Sequence, residues 1–394
     1  MRNTTVRAVN QLTTRWARRA ATGGPGTVLT AAGIWPLLAL LADGAGGPAR
    51  AELTEALGIP AESAAAAARE LLAGLARIRG LRAATGLWAK ADLPLYESWS
   101  AGLPDGARGT LTGDEDTDRK ALDGWAADRT GGLIERMPLV LERDTLLVLA
   151  SALTLRLKWI QPFRSGSVDL TEGPWAGRSA LALYRNTSLL DRARVAHTPA
   201  GPVTLLEVVG DGGVDVHLVL GEPAARPGEV LAAGAAVVTR AAPSTGASLL
   251  PEGNPGPGLR IGTVRSVDRA PRLWVGTVAF DVSADHDLLD HARLFGLHTA
   301  ADSGSGHFPG ISSDPLAVDS ARQSALARFH AEGFEAAAVT AVDAAVGCGL
   351  PRYRYRVRQA EVAFHRPFGF LAVHRTSRLV LAAGWVAEPV TLTP

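Results

Sequence analysis

The chain has 394 residues, a formal net charge of +1 and a single cysteine. That length supports one large domain or two to three small ones. A lone thiol excludes an internal disulfide and a thiolate zinc cluster, and the near-neutral balance gives no electrostatic footprint for nucleic acid.

The first twenty residues hold no apolar run of signal-peptide length ahead of Arg18-Arg19. Val6, Val9, Leu12 and Trp16 recur every three to four residues and predict an amphipathic helix. Val28–Ala42 is almost wholly apolar, and predicts a short buried strand feeding a buried helix. Its apolar part ends at Asp43, and no segment reaches the roughly 18 uninterrupted apolar residues of a membrane span. No membrane contact is expected, and the chain reads as cytoplasmic.

Helices are predicted over Ala51–Leu57 and Glu62–Leu75, and a central strand over Leu81–Trp88. Asp114–Lys120 is a charge run, read as a solvated helix start rather than a metal site. The helix continues through Ala121–Arg129 and stops at Thr130-Gly131-Gly132. Asp144–Trp159 is the longest strand-like run, and its first part is apolar on both faces, as a buried sheet strand requires. Val203–Val208 and Val214–Leu220 predict a hairpin across Gly210-Asp211-Gly212-Gly213. The Gly/Ala/Pro-rich tract Ala224–Gly258 is expected to hold one helix or strand at most. Strands are predicted over Leu273–Phe280, Arg322–Phe329, Glu361–Val373 and Arg378–Val386, with a helix over His286–Leu297. Helices fill the first third and strands the rest, which argues for an α+β fold around large sheets. No clean linker divides the chain, so residues 1–394 read as one domain.

The stretch Ala331–Arg358 has two unlike halves. From Ala336 to Val342 it is small and β-branched, with no charge between Glu335 and Asp343, so it suits a crowded sheet. Gly347, Cys348, Gly349 and Pro351 then mark a surface turn, followed by alternating arginine and tyrosine. A long connection between two strand-like runs is expected to be functional.

Residues 332–341 resemble the sheet-entering hinge of inhibitory serpins, E-G-T-E-A-A-A-A-T-A, with Glu332, Gly333, Phe334, Glu335, Ala336, Ala337, Ala338, Val339, Thr340 and Ala341 in register. Asp123, Trp125, Ala126, Thr130, Gly132 and Ile134 follow that family's N-x-W-V-x-x-x-T-x-G-x-I. Ser151, Ala152, Trp159, Pro162 and Phe163 follow its N-A-x-Y-F-x-G-x-W…P-F. Phe364, Pro367, Phe368, Phe370, Gly384, Val386 and Pro389 follow the segment after the loop. Asp287-Leu288 with Leu294-Phe295-Gly296-Leu297 looks like the helix beneath its L-x-x-L-G-I. The resemblance implies three sheets, eight to nine helices and an exposed reactive-centre loop within 331–358. It also implies a protease inhibitor: a protease cleaves the loop, is held as an acyl-enzyme, and the N-terminal half of the loop enters the central sheet. Alternate side chains of that half, Ala336, Ala338, Thr340 and Ala337, Val339, Ala341, are small and uncharged, so their burial desolvates no ion.

Four departures bear on that mechanism. Phe334 replaces a small threonine and, as the first side chain to enter the sheet, is expected to slow insertion by overpacking. Ala331 stands where the family keeps a glutamate. The sheet-opening region carries Thr30 and Gly33 within Thr30-Ala31-Ala32-Gly33-Ile34, where the family has S-P-x-S-I. Ser151 and Gln323 replace an asparagine and a histidine, and these two polar side chains are expected to satisfy each other. Counting Gly333 as the fifteenth residue before the cut places the reactive-site bond between Gly347 and Cys348. Leu350 or Tyr353 suits a chymotrypsin-like protease instead, and Arg352, Arg354 or Arg356 a trypsin-like one.

The expected partner is a serine-type, or else cysteine-type, protease, with the chain a monomer, although an incomplete sheet invites strand exchange. No metal or cofactor is expected: the histidines are scattered, and His286 beside Asp287 reads as a surface or cap feature. Trp125 and Trp159 read as core packing. Cys348 between glycines reads as an exposed thiol, but no histidine neighbours it to act as a base. The chain is therefore not expected to be an enzyme. The alternatives are a non-inhibitory binding protein that uses the loop and, behind it, an enzyme built on Cys348.

Overall fold

The computed structural model describes residues 1–139, 141–334 and 354–392. Eight α-helices and three sheets lie among them, an α+β arrangement. Helix α1 (Asn3–Ala20) buries Val6, Val9, Leu12 and Trp16 on one stripe, as its three-to-four spacing requires. The strand Thr27–Leu29 then feeds helix α2 (Ala31–Gly44), which is buried along nearly its whole length. Helices α3 (Gly47–Leu57) and α4 (Ala61–Leu75) pack beside it.

The central sheet runs Arg108–Leu111, Leu81–Lys90, Leu147–Leu155, Ser320–Phe329, with Phe280–Asp287 along the outer side of Ser320–Phe329. Its two middle strands are parallel, and pair directly from Val148 opposite Ser320 to Leu153 opposite Ala325. Above that, Gly333–Phe334 lies between Ser320–Phe329 and Leu157–Lys158. A second sheet holds the predicted hairpin, Gly201–Val209 with Val214–Leu220, beside Phe368–His374 and Val380–Val386. The third places Tyr355–Ala363 between Leu259–Ser266 and Arg272–Val278.

Several elements depart from expectation. The predicted helix over His286–Leu297 shrinks to a 3-10 turn, Leu289–His291, and one α-turn, Ala292–Phe295, because the strand Phe280–Asp287 runs through His286. Phe280 and Val282 are buried there while Asp281 and Ser283 are exposed, a period of two that marks a strand. Ala224–Gly258 holds more than one element: the helix Pro227–Val238 and the short strands Thr245–Gly246 and Gly253–Gly256. Proline at the helix start needs no N–H there. Gly228 lets that helix approach α1, since a Cβ at Gly228 would lie 2.7 Å from Arg18 Cα. Glu361–Val373 is two strands, Tyr355–Ala363 and Phe368–His374, in different sheets. Leu273–Phe280 likewise divides after Val278. Trp125 is only half-buried, set edge-on to Trp88 at 6.2 Å. No helix of the described residues is long and apolar enough to cross a membrane.

Candidate functional site

The site is the line where Leu147–Leu155 meets Ser320–Phe329, together with the turn above it. At the upper end Ser320–Phe329 turns at 330–333 and comes back on itself. Phe334 pairs antiparallel with Phe329 on one side, while Gly333 and Phe334 pair antiparallel with Lys158 and Leu157 on the other. Gly333 is required by this approach, because a Cβ there would lie 2.0 Å from the Leu157 carbonyl oxygen. The turn is held further by backbone N–H groups: Trp159 donates to the Glu332 carbonyl at 3.0 Å and Phe163 to the Ala331 carbonyl at 2.9 Å. Trp159 is core, as expected, but its indole N–H also donates to the His330 carbonyl at 2.9 Å. His330 Nε2 lies 2.8 Å from Asp281 Oδ1.

Phe334 is not waiting outside the sheet, as the sequence suggested. It is already inside, 2% exposed, with its ring 6.1 Å from Phe370. Phe370 in turn packs on Phe280 at 5.1 Å, and Phe280 stacks on Phe329 at 5.2 Å. Phe334 thus extends an aromatic cluster that a threonine would not reach.

In the middle of the line the four sequence-predicted residues do meet. Ser151 stands opposite Gln323 in the ladder, and Gly33 faces Ser151 so closely that a Cβ would lie 2.4 Å from its Oγ. They do not satisfy each other. Gln323 turns to Thr30 instead: its Oε1 accepts from the Thr30 N–H at 2.8 Å and its Nε2 donates to the Thr30 carbonyl at 2.9 Å. The Ser151 and Thr30 hydroxyls are buried and have no partner among the described residues. Gln323 thereby fastens the start of α2 to the sheet, while no side-chain bond joins it to Ser151 across the strand pair.

One residue of this region was misread from the sequence, and another was missed. His286 is no cap: its Nε2 lies 2.9 Å from the Val28 carbonyl oxygen, and its ring meets Trp16 edge-on at 5.0 Å. Burial pushes its pKa below the ordinary histidine value, outweighing the opposing pull of the Val28 bond and Asp285. Asp319 closes the lower end, its Oδ2 accepting from the N–H groups of Leu146 and Leu147 at 2.7 and 3.1 Å. The period-two pattern around His286 was the available signal; for Asp319 there was none.

Of the residues expected to form a hinge, Glu335, Ala336, Ala337, Ala338, Val339 and Thr340 lie outside the described residues, as do Gly347, Cys348, Leu350, Arg352 and Tyr353. Arg354 is described: it is exposed, and its N–H donates to the Ser266 carbonyl at 3.0 Å, at the foot of the third sheet. No cluster of three or more metal-ligating side chains occurs among the described residues.

Comparison with solved structures shows the same fold in serpins of low identity. Tengpin, a thermophilic serpin in its native state, aligns with a TM-score of 0.76 at 13% identity, over 97% of this chain and 94% of its own. Human thyroxine-binding globulin complexed with its hormone gives 0.72 at 15%, over 98% and 97%. A serpin from the trematode Schistosoma haematobium gives 0.71 at 14%, over 98% and 100%. No curated protein sequence matches. The family profile described as serpin (serine protease inhibitor) matches residues 7–172 and 278–389. With that profile on most of the chain, the chain belongs to the serpin family.

Proposed function

We propose that the protein inhibits a serine-type protease by loop cleavage, acyl-enzyme trapping and insertion of the cleaved loop into the central sheet. One observation carries this reading: Gly333–Phe334 already pairs with a strand on each side, at the top of two parallel strands. A chain continuing downward from Phe334 would run antiparallel to both. Each ladder bond it broke between Leu147–Leu155 and Ser320–Phe329 would be replaced on both of its own edges. The residues that follow, Ala336 to Ala341, are small and uncharged.

The counted register puts the cut between Gly347 and Cys348. Arg354 is the least suited of the alternatives, because its N–H is engaged by Ser266 and a protease cleft needs a free extended backbone. The test mixes the intact chain with trypsin, chymotrypsin, elastase and subtilisin. A covalent complex that survives denaturing electrophoresis is expected with at least one, and the cleaved chain should melt tens of degrees above the intact one. If every protease nicks the loop and leaves active, and the cut chain melts where the intact one does, the trap reading is lost. The second reading, a non-inhibitory binding protein, is favoured by one feature: Phe334, anchored on Phe370, opposes movement of the hinge in either direction. It predicts cleavage without a thermal gain.

A further inference from the structure

The outer face of the third sheet carries two aromatic side chains laid flat. Along Arg272–Val278, Leu273 and Val275 are fully buried, so Arg272, Trp274 and Gly276 share the opposite face. A Cβ at Gly276 would lie 2.6 Å from Cη2 and 2.8 Å from Cζ3 of Trp274. The indole therefore lies along the strand over that glycine. Tyr184 stands opposite Gly276 on the neighbouring strand Arg178–Thr187, and its Cε2 would lie 3.2 Å from a Cβ at Gly166. The two rings are 5.7 Å apart at 37° and both are half-buried, a tilted aromatic platform. Trp274 lines a cleft of about 670 Å³, a volume typical of small-molecule sites. All but two of the lining residues, Gln359 and Glu361, fall within 173–277, between the two segments that the family profile matches.

The polar groups around Trp274 have bonding capacity to spare. In register, Asn186 stands beside Trp274 on one neighbouring strand and Glu361 on the other. An amide and a carboxylate thus flank the indole at cross-strand distance. Asn186 is exposed, and its side-chain amide has no hydrogen-bond partner among the described residues; nor has the carboxylate of Asp268 or the hydroxyl of Ser188. Glu361 accepts from Gln359 through one oxygen, and Arg272 donates to Ser266 Oγ at 2.9 Å through one nitrogen. The other oxygen of Glu361 and further N–H groups of Arg272 are left over. This mixture decides the chemistry. A cation would call for acceptors alone and an anion for donors alone. Here donors and acceptors stand around one aromatic face, two carboxylates against one guanidinium. The group that both donates and accepts is the hydroxyl. A molecule with hydroxyls around its rim and an apolar C–H face for the indole is a pyranose sugar.

We propose that this cleft binds a neutral pyranose sugar. The C–H face of the sugar ring lies on Trp274, and its hydroxyls bond to Asn186, Asp268 and Glu361. No hinge residue takes part, so the proposal stands whether or not the loop traps a protease.

The test is titration calorimetry on the intact chain with maltose, cellobiose, mannobiose and diacetylchitobiose, and with spermidine as the cationic control. Saturable one-to-one binding of at least one disaccharide is expected, and none of spermidine. Trp274→Ala should abolish sugar binding. Because that ring also covers Gly276, Asn186→Ala gives a second reading free of the fold. Its side chain is exposed and unpartnered, so this variant should melt with the parent chain. It should bind roughly fivefold more weakly, the worth of about one net hydrogen bond. The proposal is overturned if no disaccharide binds saturably, or if spermidine binds as tightly as the best sugar. It is overturned equally if either variant melts with the parent chain and keeps the parent affinity.

Discussion

The Leu147–Leu155 strand lies directly against Ser320–Phe329 at the lower end; at the upper end, Gly333 and Phe334 stand between Leu157–Lys158 and Phe329. The lower half is joined by backbone rungs, with Asp319 closing the foot and Gln323 holding Thr30. The upper half adds aromatic packing to its backbone bonds, with Phe329, Phe280, Phe370 and Phe334 touching in series. The two kinds of closure respond differently to an entering strand. Backbone rungs are replaced by new rungs of the same kind, so opening the lower half costs little net hydrogen bonding. Aromatic contacts depend on particular partners and are not replaced. On the trap reading, the hinge end therefore sets the threshold for opening and the lower half only follows.

The harshest way to break this contrast is Gly333→Val. A Cβ at Gly333 meets the Leu157 carbonyl oxygen at 2.0 Å and Lys158 Cα at 3.2 Å, both backbone. The hinge must leave the sheet, taking Phe334 with it. The expected loss is about 4 kcal/mol, Phe burial plus steric strain, read as a lower urea midpoint together with new protease cleavage at Phe334. An unchanged midpoint would mean that the two residues contribute nothing to the native sheet. Phe334→Ala is milder, since the backbone rungs remain. Removing a ring that is 2% exposed should cost about 3 kcal/mol in the intact chain. On the trap reading it also speeds insertion, so complex formation with the target protease rises while stability falls. Loss of both would show that Phe334 aids insertion rather than restrains it.

Next in size are the residues of the lower half. Gln323→Leu leaves the Thr30 N–H unpaired under the sheet and its carbonyl with the Gly33 N–H alone, and should cost about 2 kcal/mol. Ser151→Ala should act with the opposite sign: its hydroxyl is buried and unpartnered, so its removal is expected to stabilise by about 1 kcal/mol. Urea midpoints of the two single variants and the double variant decide the matter. Additive values fit two side chains with no mutual bond, and a coupling above about 0.5 kcal/mol would mean that they interact in solution.

Periodicity made the scaffold legible: α1, the hairpin Gly201–Val209 with Val214–Leu220, and the all-buried strand Leu147–Leu155 each declare themselves within a few residues. The hinge glycine and the meeting of Thr30, Gly33, Ser151 and Gln323 came from resemblance rather than pattern. What stayed hidden depends on partners distant in the chain. Nothing beside Phe334 announces Phe370, and nothing beside Gln323 shows that it will choose the Thr30 backbone over Ser151 across the ladder. The left-handed backbone of Arg240 and Arg378, with φ of 63° and 60°, was invisible for another reason, since arginine carries no sign of that conformation as glycine or asparagine does. The Ala224–Gly258 tract misled because small residues serve close helix packing as well as loops.

The smallest effect concerns pH, and it tests whether the sheet grips the strand Thr27–Leu29 as closely as it grips Thr30. His286 reaches the Val28 carbonyl oxygen from Phe280–Asp287, one strand beyond Gln323. Its pKa lies below the ordinary value of 6.5 because burial penalises the charged ring. The unfolded chain therefore takes up this proton at a higher pH than the folded one. Stability is complete above the unfolded value, and declines as pH falls below it toward the folded value. His217, His365 and His374 are lowered by burial too and act in the same direction. His286→Gln keeps a hydrogen-bond donor for Val28 and removes one titrating group. Urea midpoints at about pH 7.5 and about pH 5 should show a shallower loss in this variant than in the parent chain. If both lose the same amount, the imidazole titrates freely in the native protein, and Thr27–Leu29 is held by its pairing with Val380–Val386 alone.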